Sequence, residues 1–146
     1  MGAGVSSFRT HPVGTVQDAL GNYTVYPSHE LINRQLASAH RCILAATGSR
    51  RPAAALTALV ALLAIHPFSD GNGRVARIMF HGLLDVPCDA YMPLHEFAAV
   101  SRAGYLLALR EASYFQHWPP IAAYIWQAMR LSWGRRTLCA AAVQAK

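Results

Sequence analysis

His66-Pro67-Phe68-Ser69-Asp70-Gly71-Asn72-Gly73-Arg74-Val75-Ala76-Arg77 places an imidazole, a carboxylate, a glycine-rich turn and two arginines within twelve consecutive residues. The flanks give the backbone this stretch occupies. Upstream, Ala53 to Ile65 is apolar apart from Thr57, and Pro52 suits the first helical position. This predicts a buried helix, too short for a bilayer, which needs about 20 apolar residues. Pro67 ends it, because proline disfavours helix in the residue before it. Downstream, Val75, Ile78, Met79, Gly82 and Leu83 share one face of a second helix, with Arg74, Arg77 and His81 off that face. The two arginines, at i and i+3, stand side by side.

A helix end, a tight loop and a helix start make an anion site. Gly71 and Gly73 let a ligand approach the main chain closely. The free amides of the next helix point at that ligand, and consecutive amides in the turn form a nest. Asn72 adds a side-chain donor. Arg74 and Arg77 add forked donors suited to phosphate oxygens. Asp70 beside phosphates calls for a bridging hard cation such as magnesium. His66 suits a general base near neutral pH. Taken singly, Asp70 reads as a helix-start acid, Arg77 as a surface arginine and the glycines as a turn. The constellation carries the functional reading, and Phe68 reads as core on either view.

Outward from this centre, Phe8 to Val16 and Tyr23 to Tyr26 read as two short strands joined at Gly21-Asn22. Ser28 is an N-cap for a helix whose apolar stripe is Ile32, Leu36, Ala39, Ile43 and Ala46, ended by Gly48. Pro87 and Pro93 punctuate a loop, and helical segments follow from Glu96 to Phe115. Pro119-Pro120 opens a last helix with Ile121, Tyr124, Ile125 and Ala128 on one face. Trp126 and Trp133 are expected to pack, and the alanine-rich tail from Ala140 to fray.

Composition sets outer bounds. The chain has 146 residues, is 53% hydrophobic and carries a net charge of +6. That predicts one domain with a real core, and attraction to an anionic ligand or an acidic surface. The basic groups, Arg50-Arg51, Arg74, Arg77 and Arg135-Arg136, are scattered, which argues against nucleic acid as a partner. Three widely spaced cysteines, Cys42, Cys88 and Cys139, offer neither disulfide framework nor zinc site, and are expected packed or half-buried in a reducing cytosol. His29-Glu30 and His95-Glu96 begin like a zinc-protease motif, but Asn33 and Ala99 stand where the second histidine is needed. No apolar leader segment opens the chain. Met1-Gly2-Ala3-Gly4-Val5-Ser6 fits the loose myristoylation pattern, of weight only in a eukaryotic cytosol.

The central stretch resembles, position for position, the signature of Fic-domain (filamentation induced by cAMP) proteins: His, any residue, Phe, any, Asp or Glu, Gly-Asn-Gly-Arg, any two, Arg. Phe8-Arg9-Thr10, Val13 and Tyr26-Pro27 look like the family's flap. Arg102, Tyr105, Leu106 and Leu109 look like its later Arg-x-x-Tyr-Tyr-x-x-Leu stretch, with Leu106 replacing the second tyrosine. The resemblance implies an all-α, mainly helical Fic fold with a short β-hairpin flap. It implies one domain over 1–146, with the flap at about 8–27 and the helical core at about 28–131.

It further implies transfer of AMP from ATP to a Tyr, Thr or Ser hydroxyl of a target protein, releasing pyrophosphate. In that chemistry His66 deprotonates the hydroxyl and Asp70 holds magnesium. Gly71, Asn72 and Gly73 cradle the phosphates, with Asn72 on the α-phosphate, and Arg74 and Arg77 grip the β- and γ-phosphates. The target adds a strand to the flap, so that main-chain bonds give affinity. Relatives whose loop deviates from Gly-Asn-Gly-Arg include a kinase and a phosphocholine transferase, and the intact loop here favours adenylylation over those.

None of Glu30, Glu96 and Glu111 carries the family's inhibitory pattern, because Tyr26, Met92 and Leu107 precede them by four. The chain starts almost at the flap, where relatives usually have a helix. A minimal enzyme, a truncated core or a toxin held by a separate antitoxin are the alternatives. The expected location is the cytoplasm, or a host cytosol for a secreted effector. Two other readings stay open: a nucleotide-binding interaction module without useful catalysis, and a Fic transferase using another nucleotide.

Overall fold

The computed structural model describes residues 8–15, 23–46, 50–86 and 91–144, with 135–144 described by backbone alone. Gly21-Asn22, Gly48, Pro87, Cys88 and the Met1–Ser6 pattern lie outside the described residues, as do the side chains of Arg135, Arg136, Cys139 and the tail from Ala140. Contacts divide the chain into two compact units, Met1–Leu83 and Leu84–Lys146.

The first unit begins with two extended segments. Gly14 and Val25 form an isolated antiparallel bridge, flanked by hydrogen bonds from Thr15 N to Thr24 O (2.9 Å) and from Tyr26 N to Val13 O (3.0 Å). The expected pair of strands is therefore reduced to one bridge among the described residues. Thr15 explains part of the shortfall, because its Oγ1 accepts from Thr24 N in place of a backbone carbonyl. Ser28 caps a short 3-10 turn, His29–Leu31, through its hydroxyl to Glu30 N. Helix α1 (Ile32–Ala45) follows directly and packs against α2 (Arg51–Ile65).

Helix α2 is the core of this unit. Ala54, Ala55, Ala58, Leu59, Val60 and Ile65 are buried, as its nearly unbroken apolar sequence requires. Pro52 sits in its first turn, where a missing N–H costs nothing. On α1 the stripe faces inward, with Ile32 fully buried and Leu36, Ala39 and Ile43 half-buried. Cys42, expected packed or half-buried, is exposed.

Helix α3 (Asn72–Leu84) corrects the sequence expectation. Its buried residues are Asn72, Ala76 and Phe80, an i, i+4, i+8 row. Ile78 and Met79 are 71% and 43% exposed, and Gly82 is exposed. The helix is set by the burial of Asn72 at its first residue, which turns a different face inward from the one that apolar spacing suggests.

The second unit contains α4 (Leu94–Val100), α5 (Arg102–Phe115) and α6 (Pro119–Gln144). A break at Ser101 separates α4 from α5. Helices α5 and α6 pack together. Buried Ala108 and Ala112 lie on α5, and buried Ile121, Ile125 and Ala128 on α6. Tyr105 and Tyr124 meet with ring centroids 5.3 Å apart, and the Tyr124 hydroxyl hydrogen-bonds Ser101 Oγ at 2.8 Å. Trp126, expected to pack, is 61% exposed, whereas Trp133 is half-buried. No helix among the described residues is long and apolar enough to cross a membrane.

Candidate active site

Helix α2 ends at Ile65, and His66 leaves it in the left-handed region, with φ 52° and ψ 59°. This conformation is uncommon outside glycine, although histidine is among the residues that reach it more readily. Support comes from both neighbours and from the amino-terminal segment. His66 N still donates to Leu62 O at 3.1 Å. Pro67, fully buried, follows and prevents any further helical turn.

Arg9 is 3% exposed, and its guanidinium donates to four backbone carbonyls. Nε reaches His66 O at 2.7 Å, Nη1 reaches His11 O at 3.0 Å, and Nη2 is shared between Pro27 O and, at 3.3 Å, Ile65 O. The Arg9 backbone N–H donates to Pro67 O at 2.9 Å. The last carbonyls of a helix lack intrahelical partners, and a cation there also complements the helix dipole. Next in sequence, Phe8 packs on Phe68 with ring centroids 5.7 Å apart.

The His66 imidazole is half-buried beneath Tyr26, whose ring stacks on it with centroids 3.9 Å apart and planes 15° apart. Burial pushes the imidazole pKa below its ordinary value. The backbone of Leu63 acts in the opposite sense, and the positive charge of Arg9 lowers it further. Nδ1 is buried without a protein partner, so the Leu63 contact falls short of a hydrogen bond there.

Phe68 to Asp70 form the bend, and Gly71, with φ 84°, carries the chain through a left-handed turn into α3. Asn72 clamps this bend: Phe68 N donates to Asn72 Oδ1 at 2.9 Å, and Asn72 Nδ2 donates to Phe68 O at 2.7 Å. Arg74 Nη2 pairs with Asp70 Oδ2 at 2.8 Å, both side chains being largely exposed. The Arg77 guanidinium folds over Gly73, where an added Cβ would lie 3.1 Å from its Nη1.

Together these residues shape a cleft of about 270 Å³ lined by His66, Ser69, Asp70, Gly71, Asn72, Gly73, Arg74 and Arg77. All seven residues singled out in the sequence thus share one wall system. Ser69 joins them from a position where the signature accepts any residue. Arg9 and Tyr26 were legible only as parts of a flap-like pattern, because their contacts with His66 cross a long stretch of chain.

The arrangement offers an imidazole held largely neutral, two guanidinium groups, a glycine turn at a helix start and one exposed carboxylate paired with Arg74. That is a set for binding a polyphosphate and removing a proton beside it. Among the described residues no group of three or more His, Cys, Asp or Glu could hold a metal by itself. A cation at Asp70 must therefore borrow ligands from phosphate and water, as magnesium commonly does.

The sequence model of the Fic/DOC family matches residues 3–84. The match ends at the last residue of α3, so the Arg102 to Leu109 stretch lies beyond it. No curated protein and no solved structure matches the chain.

Proposed function

This chain belongs to the Fic/DOC family, and from that premise we propose that it is a protein adenylyltransferase. One observation carries the proposal: the imidazole of His66 shares a single cleft with the Gly71–Gly73 turn, Asp70, Arg74 and Arg77. A binding module has no use for a half-buried imidazole of lowered pKa at the end of a phosphate cradle.

In the proposed reaction a target Tyr, Thr or Ser hydroxyl attacks the α-phosphorus of ATP. An oxygen–phosphorus bond forms to the target, and the bond to the departing pyrophosphate breaks. With Nδ1 buried, His66 Nε2 takes the hydroxyl proton. Arg74 and Arg77 hold the β- and γ-phosphates, and the amides of the turn hold the rest. Asn72 contributes from its backbone and its second amide hydrogen, since its side chain already serves Phe68. Asp70 would hold magnesium, which when bound neutralises phosphate charge.

The bridge between Gly14 and Val25 supports the flap assignment, and a target strand would add to that edge. No inhibitory motif lies in these 146 residues, so the protein would be inhibited in trans, for example by a separate antitoxin, or not at all.

The test is incubation of the purified protein with α-labelled ATP, magnesium and cell lysate, beside His66→Ala. Label on a discrete band that the variant loses supports AMP transfer. ATP binding with no label in either sample favours the binding-module reading or another donor.

A further inference from the structure

The chemistry proposed for the cleft leaves one buried charge without a task. Arg9 does not line the cleft, yet its guanidinium is buried and bonded to carbonyls on both sides of it. On one side are Ile65 O and His66 O, at the end of α2 and at the left-handed residue itself. On the other side is Pro27 O, in the residue immediately after Tyr26. The Tyr26 ring is the one stacked on the His66 imidazole. A single planar fork therefore joins the backbone of the histidine to the backbone beside its stacking partner.

We infer that Arg9 is the positioning residue of this site, holding the His66 turn and the Tyr26 stack in register so that the imidazole plane is fixed. The assignment rests on geometry. A left-handed conformation is uncommon outside glycine, and the bond from Arg9 Nε at 2.7 Å holds the His66 carbonyl in it. Fixing one imidazole face takes a ring at stacking distance, and Tyr26 is brought there by a chain held through Pro27. Lysine could not substitute, because a point donor on a flexible stem cannot serve divergent carbonyls at once. The inference rests on the proposed transferase reading for its kinetic consequence, but not for its structural one.

The experiment uses the full chain as wild type, Arg9→Lys, Arg9→Gln and Tyr26→Leu. Three quantities are read: the ATP dissociation constant, kcat for transfer, and the proton NMR shifts of the His66 imidazole. In wild type the stacked Tyr26 ring displaces those shifts upfield, and Tyr26→Leu removes the displacement and so identifies its source. In whichever Arg9 variant folds, the displacement is lost, ATP binding is kept, and kcat falls by about 100-fold, the effect of a misplaced catalytic group. A folded Arg9 variant with wild-type imidazole shifts and wild-type kcat overturns the inference. Loss of ATP binding in step with kcat also overturns it, since a general collapse of the cleft would do that. A wild type that transfers nothing ends the functional reading alone, because the imidazole shifts still decide the role of Arg9.

Discussion

Asn72 and Phe68 hold each other by two hydrogen bonds, the Asn72 amide accepting from Phe68 N and donating to Phe68 O. The pair closes the bend at the very residue that starts α3, and Asn72 is 3% exposed. Asn72→Asp is a sharp test of this clamp. An aspartate at a helix start is ordinarily favoured by the dipole. Here it keeps the acceptor for Phe68 N but sets a carboxylate oxygen against the Phe68 carbonyl. Loss of a buried bond with its partner left unpaired costs about 1–3 kcal/mol. Urea denaturation at neutral pH is expected to show Asn72→Asp destabilised, with part of the loss recovered in acid, where the carboxyl can donate. A variant as stable as wild type at neutral pH is incompatible with the clamp.

The same pair shows what the sequence could and could not say. Helix α2 was legible because almost every residue from Ala53 to Ile65 is apolar, so any orientation buries it. The site residues were legible because they are contiguous. The inward face of α3 was not, because apolar residues occur on two of its sides and a buried polar residue, Asn72, chooses between them. Ile78 and Met79 are left exposed by that choice. The stack of Tyr26 on His66 and the reach of Arg9 to His66 O are long-range contacts, which local periodicity cannot report. Among the described residues of the flap, a side-chain oxygen, Thr15 Oγ1, takes the Thr24 N–H that a backbone carbonyl would take in a ladder.

The two glycines of the turn are needed for different reasons, and alanine separates them. Gly71 has φ 84°, so Gly71→Ala forces an L-residue into the left-handed region at a cost of roughly 1–2 kcal/mol. Gly73 has ordinary helical angles, and a Cβ there meets only the tip of Arg77 at 3.1 Å. Gly73→Ala should therefore leave the denaturation midpoint unchanged or slightly raised while displacing the guanidinium and weakening ATP binding. Calorimetry with ATP and thermal denaturation on both variants checks the split. Equal stability losses in the two would contradict it.

Asp70 and Arg74 form an ion pair between largely exposed side chains, and such pairs add little to stability. Asp70→Ala should leave the folded state as stable as wild type and abolish the magnesium dependence of ATP binding. Arg74→Ala and Arg77→Ala should weaken ATP binding with or without magnesium. Titrations of ATP with and without magnesium distinguish the three variants. An Asp70→Ala protein that keeps the wild-type magnesium response removes Asp70 from the metal role.

The lowered pKa of His66 fixes the pH behaviour. Burial of the imidazole is the main cause, with the Arg9 charge adding to it against the Leu63 backbone. The folded protein therefore binds this proton less readily than the unfolded chain, whose histidine titrates at the ordinary 6.5. Where the unfolded state binds more protons, stability rises with pH. The contribution is present in full above 6.5 and is lost as pH falls from there through the lowered folded value. The general base behaves in parallel: it stays unprotonated through neutrality, so the acid limb of kcat/KM falls below 6.5 rather than at it. Denaturation midpoints of wild type and His66→Gln across a mildly acidic series should converge as pH falls if this histidine is responsible. An acid limb centred above 6.5 would reverse the sign of the shift and with it the assignment of His66 as a base poised for neutral pH.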